Sequence, residues 1–177
     1  MSSIDLFLLG LLMNKPYSAY DIAREIEFRN MREWAKISEP TVYKNLLKLH
    51  LNGFTDATHV KEGEMPEKRV YEINEKGKER FFELIAIYAQ DPGNFYFDFN
   101  LAIANFDKLP AGHAVAYLKK LQAAFRERRR NVEEKEIPAR MSLPLPARMI
   151  LTQHLLLNRV MEDWTGQYID ILEEEQR

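Results

Sequence analysis

Hydrophobic and polar positions divide the first ninety residues into short amphipathic segments, each closed by turn residues. Ile4 to Met13 is apolar almost all round, the pattern of a helix at the centre of a small domain, and Asn14-Lys15-Pro16 stops it. Ser18 and Asp21 have the spacing of a capping box, in which the hydroxyl accepts a free first-turn amide and the carboxylate reaches back. This predicts a helix over Ala19–Phe28, with Ile22, Ala23 and Ile26 on one face and Arg24, Glu25 and Glu27 elsewhere. A polar connection carrying Trp34 follows and ends at Ser38-Glu39-Pro40, where proline suits the first helical position.

Two stripes are predicted on the next helix, Pro40–Leu51. Thr41, Lys44, Asn45, Lys48 and Asn52 share a polar stripe that contains no acid. Val42, Leu46 and Leu49, widened by Tyr43 and Leu47, form the opposing stripe expected to face the core. Gly53 ends the helix. Phe54–Val60 and Arg69–Ile73 have strand character and flank a charged stretch from Lys61 to Lys68, predicting a two-stranded hairpin with a mobile tip. Asn74 then caps a helix over Glu75–Gln90, whose expected core stripe is Phe81, Leu84, Ile85 and Tyr88.

The turn Asp91-Pro92-Gly93 marks a domain boundary, giving domains at 1–90 and 91–177. Three helices are expected beyond it. Asn94–Phe106 is crowded with aromatic residues; Pro110 opens a helix to about Glu136 with Ala114, Leu118, Leu121, Phe125 and Val132 inward; Pro138–Pro146 is a connector. The last helix, Ala147–Glu174, carries a heptad seam of Ile150, His154, Leu157, Met161, Trp164, Tyr168 and Ile171. Dimerisation through Ile150, Leu157, Met161, Trp164, Tyr168 and Ile171 is the expected use of that seam, the alternative being an antiparallel hairpin with the Pro110 helix that buries it within one chain.

Composition narrows the function. The 177 residues include no cysteine, which removes disulfides, thiolate metal sites and a cysteine nucleophile. The longest apolar run, Leu6 to Met13, is far short of a bilayer span and has no basic flank of the secretory type, so a cytoplasmic protein is expected. His50, His59, His113 and His154 are dispersed, without metal-ligand spacing, and no glycine-rich phosphate loop occurs. Neither an enzyme nor a cofactor is expected. Arg126, Arg128, Arg129 and Arg130 are followed by Glu133, Glu134 and Glu136, which favours a salt-bridged helix face over an anion site. The formal net charge of -2 gives no global attraction to nucleic acid, so any such role must rest on local charge.

The fold class expected is mainly α: an N-terminal winged helix of three helices, a hairpin wing and a fourth helix, followed by a C-terminal helical dimerisation domain. In that plan the third helix enters the DNA major groove and the wing touches flanking phosphates. A polar helix face alone reads equally well as a solvated surface; the hairpin beside it favours DNA.

Leu8-Leu9-Gly10-Leu11-Leu12, then Pro16-Tyr17-Ser18-Ala19-Tyr20-Asp21-Ile22, then Thr41-Val42-Tyr43 with Leu46, Leu49, Gly53 and Phe54, then Lys68-Arg69-Val70-Tyr71-Glu72-Ile73 with Gly77, resemble the PadR family of transcriptional regulators in order and spacing. The remaining half is similar in architecture to the C-terminal region of longer PadR-like proteins, including the AphA-type virulence activators. The resemblance implies a homodimer that binds a palindromic double-stranded operator, as a repressor released by a small molecule in many members. It implies DNA contacts from Tyr17, Ser18 and Tyr20, from Thr41, Tyr43, Lys44 and Lys48, with Asn45 on the same polar stripe, and from Lys68 and Arg69 at the wing. Two departures stand out: Lys44 replaces the family's usual proline, and Glu62, Glu64 and Glu67 make the wing acidic where a basic one is usual. Phe95, Phe97 and Phe99 with Trp164 are a candidate pocket for a small aromatic effector, ordinary core packing being the other reading. A second function class stays open on the acidic wing and net charge: a winged-helix ligand-sensing or protein-interaction module without specific DNA binding.

Overall fold

Helix α1 (Ser3–Leu12) carries Leu8, Leu9, Leu11 and Leu12, all buried, so its apolar circumference is matched by neighbours on several sides. The computed structural model describes residues 2–29, 31, 35, 37–61, 67–136 and 143–175. Trp34 and the expected wing tip at 62–66, with Glu62 and Glu64, lie outside the described residues. Two compact units divide the chain, Met1–Asn94 and Phe95–Arg177.

In the first unit a short strand β1 (Tyr17–Ser18) leads into α2 (Ala19–Phe28), followed by α3 (Glu39–Leu51), β2 (Thr55–Val60), β3 (Lys68–Ile73) and α4 (Glu75–Gln90). The expected two-stranded hairpin is a three-stranded antiparallel sheet in the order β1-β3-β2. Tyr17 stands opposite Tyr71 and Ser18 opposite Val70. Ser18 caps α2 from extended backbone (φ -83°, ψ 163°), so the residues that start the helix are also able to pair with the free edge of β3. Leu8, Ile22, Leu46, Leu49 and Leu84 close the core.

Asn74 caps α4 by accepting from the Gly77 amide at 3.0 Å. Only Leu84 of the expected stripe is buried and Phe81 is half-buried, while Ile85 and Tyr88 are exposed. The reason is length: α1, its main neighbour, has 10 residues and α4 has 16, so the last turns of α4 run past what α1 covers.

The second unit departs further from expectation. The predicted Asn94–Phe106 helix is reduced to α5 (Phe99–Ile103) and a 3-10 turn at Phe106–Lys108, with Phe97 stacked on Phe99 and Asn105 leaving helical backbone between them. Pro110 does not open the long helix. Its carbonyl accepts from His113, Gly112 takes a left-handed φ of 79°, and α6 runs His113–Asn131 before a wider turn at Val132–Glu136. Helix α7 (Leu145–Glu175) includes Pro146 in its first turn, where the missing amide costs no helical bond, so the connector ends earlier than expected. Residues 137–142 of that connector are outside the described set.

Helices α6 and α7 pack antiparallel, with Lys119 against Glu173 and Arg126 and Arg129 against Glu162 at 2.6–2.8 Å. Val115, Leu118 and Ile169 form the buried centre, with Leu172 and Phe106 against it. Glu162, Thr165, Ile169 and Leu172 face α6, one position along from the expected seam of Met161, Trp164, Tyr168 and Ile171. Tyr168 and Ile171 stay exposed.

Candidate nucleic-acid interface

Val42, Leu46 and Leu49 are fully buried, which fixes the rotation of α3. A helix turns about 100° per residue, so Pro40, Lys44, Leu47 and Leu51 point directly away from the core, and all four are exposed. Tyr43, expected in the core stripe with Leu47, is 50% exposed on one flank. Thr41, Asn45 and Lys48 are half-buried on the other flank. The outward stripe is thus rotated from the one that residue type alone indicates.

Partners within the chain hold that flank. Lys48 Nζ donates to Asp5 Oδ2 at 3.0 Å, and Asp5 is wholly buried. Asn45 Nδ2 donates to the Thr41 carbonyl at 2.8 Å, and the Thr41 and Ser38 hydroxyls lie 2.6 Å apart in a hydrogen bond. The signal for the Lys48 partner is visible in sequence: Asp5 is the one carboxylate in an otherwise apolar α1. Only a tertiary structure shows which cation it meets.

Tyr17 and Ser18 are buried. The Tyr17 hydroxyl donates to Glu25 at 3.3 Å, and Ser18 Oγ bonds Asp21 at 2.6 Å. Burial works against the Asp21 charge, but the hydrogen bonds from the Ser18 side chain and amide, with Lys68 and Lys15 close by, outweigh it and hold the carboxyl below its ordinary 3.8. Tyr20 is 61% exposed at the start of α2. On β3, Lys68 and Arg69 are half-buried, and the Arg69 guanidinium covers the Tyr71 ring at 5.5 Å. Glu67 is exposed and 3.8 Å from His59 across the wing.

In the second unit Phe99 contacts Phe97, Phe125 and Trp164 with ring centroids 5.1–6.2 Å apart. These rings fill one another's space. Phe95 lies apart from them in an open apolar groove of about 710 Å³ with Leu145, Met149, Leu156 and Val160. Among the described residues no group of three metal-ligating side chains comes together, and no helix is long and apolar enough to cross a membrane.

Residues 8–83 match the transcriptional regulator PadR-like family. The chain carries a PadR-like regulator domain. Its fold extends the likeness to nearly the whole length. Bacillus subtilis PadR in complex with operator DNA is 18% identical, with a TM-score of 0.83 over 97% of this chain and 98% of that one. The same protein with p-coumaric acid scores 0.75 at 17% identity over 96% and 95%. The Vibrio cholerae virulence activator AphA scores 0.72 at 20% identity over 97% and 99%. No curated protein sequence matches significantly. At such identities the structural likeness establishes the fold, a winged helix followed by C-terminal helices, and the PadR-like match places it among transcriptional regulators.

Proposed function

We propose that the chain is a cytoplasmic, homodimeric regulator that represses transcription at a palindromic operator and is released by a small aromatic effector. The outward face of α3 carries this reading: Lys44 is exposed at its centre, and residues 40–52 contain no carboxylate to repel phosphate. Tyr43 borders it on one side and Thr41 and Lys48 on the other, while Tyr20 is exposed at the start of α2 and Lys68 and Arg69 are at the wing. Tyr17, Ser18 and Asn45, engaged within the domain, serve by holding these elements in place. Bacillus subtilis PadR, whose fold is shared, has been solved with operator DNA and with p-coumaric acid, which supports both halves of the proposal. An effector has room at the Phe95 groove rather than among Phe97, Phe99 and Trp164, because its volume suits a small ligand and its lining is mostly apolar. Tyr168 and Ile171, left uncovered by α6, are assigned to the dimer contact with Ile150, Leu157, Met161 and Trp164.

Fluorescence anisotropy across a salt series tests the reading, with the protein's own upstream DNA against a scrambled duplex. A preference for the upstream DNA that weakens steeply with salt is the expected result. Equal, salt-insensitive binding to both overturns it. The reading then left is a protein-interaction module, for which Leu51, 76% exposed on α3, would be the contact.

A further inference from the structure

We infer that Leu47 reads a thymine methyl group in each operator half-site, making α3 an apolar rather than a hydrogen-bonding reader at that position. The inference rests on the DNA-binding reading above and adds what that surface selects. Leu47 stands opposite the buried Val42, Leu46 and Leu49 and is 42% exposed. Pro40, Lys44 and Leu51 share its stripe.

Three of the polar side chains of α3, all on one flank, are engaged by the chain itself. The Lys48 ammonium is on Asp5, the Asn45 amide is on the Thr41 carbonyl, and the Thr41 hydroxyl is on Ser38. What remains at the centre of the outward face is one cation, Lys44, followed one turn later by Leu47. Lys44 complements the phosphates. In the major groove the apolar feature presented by the bases is the C5 methyl of thymine, and apolar side chains contact it directly. A leucine presented there gains by covering that methyl and gains nothing at a cytosine edge, whose amino donor would lose its water. Beyond Glu39 in its first turn α3 has no carboxylate, so Lys44 brings Leu47 to the groove by charge and Leu47 selects within it by shape.

The test begins with the full chain and a pool of random duplexes from which a bound site is selected. Each thymine of the selected half-site is then replaced by deoxyuridine, which removes the methyl and keeps the base pairing. One replacement is expected to weaken binding roughly fourfold per methyl removed, and about fifteenfold when made in both half-sites. Leu47→Ala should bind the thymine and deoxyuridine duplexes equally, with unchanged circular dichroism, while Leu47→Met should keep the difference. If a site is selected but no deoxyuridine matters, or Leu47→Ala keeps the full penalty, the inference is overturned and the regulator reading stands. If no site is selected at all, the regulator reading fails and this inference with it.

Discussion

Lys48 on α3 lies 3.0 Å from Asp5 on α1, and the carboxylate has no exposure to solvent while the lysine side chain keeps 42% of its own. The pair therefore ties α3 to the central helix α1. Asp5 otherwise accepts only from the Ser2 amide at 3.1 Å, and its Oδ1 has no hydrogen-bond partner among the described residues. Removing the lysine strands a buried charge, which costs about 3–5 kcal/mol when both partners are buried. The solvated ammonium discounts that. Lys48→Ala is expected to lose about 2 kcal/mol in urea unfolding, whereas Lys44→Ala should stay within about 0.5 kcal/mol. In DNA binding the order reverses: Lys44→Ala should lower the salt slope by about 1 for each phosphate it no longer neutralises, and Lys48→Ala by less. Equal unfolding midpoints for the two variants would show the Asp5 pair to be energetically silent.

Gly77 shows packing overruling helix propensity. In a solvent-exposed helix interior, Gly→Ala stabilises by about 1 kcal/mol. Here a Cβ would stand 2.1 Å from the Phe54 carbonyl oxygen and 2.7 Å from Ile73 Cγ1, and the backbone cannot retreat without opening the start of the wing. Gly77→Ala is expected to destabilise by about 2 kcal/mol, as overpacking does. Thermal unfolding reads the sign directly, and a raised midpoint would refute the close approach.

Local chemistry was legible in the sequence, and tertiary placement was not. The Ser18–Asp21 box joins residues three apart, so spacing locates the start of α2, and Asn74 marks the start of α4 by its residue type. Tyr43 and Leu47 mislead because apolar character is read as burial, and a helix whose outer face carries exposed apolar side chains breaks that equation. Ile85 and Tyr88 continue the period of Leu84 after the covering helix has ended. Strand β1, at two residues, is too short to show alternation. On α7 a heptad pattern names an apolar stripe without saying which neighbouring stripe meets α6; the answer lies with Arg126, Arg129 and Gln122, all of which meet Glu162.

The cap on α2 gives a pH dependence of definite sign. Asp21 has a folded pKa held below its ordinary 3.8, so its contribution is complete above that value and is lost as the pH falls through the lower, folded value. Asp21→Asn is expected to cost about 1 kcal/mol at neutral pH, the usual worth of a cap, and progressively less in acid. Urea unfolding of both proteins at pH 7 and below 3.8 checks it. A difference that does not shrink would mean the carboxylate charge contributes nothing.

Tyr168 and Ile171 are 48% and 46% exposed, one position away from the stripe that α7 turns towards α6. Burying such side chains is worth about 1.5–3 kcal/mol each, and a two-fold interface counts every substitution twice. Ile171→Glu would place two carboxylates against each other in the proposed contact, and Tyr168→Glu two more. Either variant should shift the solution mass towards the 20.9 kDa of one chain while far-ultraviolet dichroism stays constant, because Val115, Leu118 and Ile169 still hold α6 to α7. Operator affinity should fall with the mass, since one protomer reaches one half-site. A dimer of unchanged mass in both variants would move the interface to the other open surface of this helix, where Met149, Leu156 and Val160 line the groove, and would remove the effector's room at the same time.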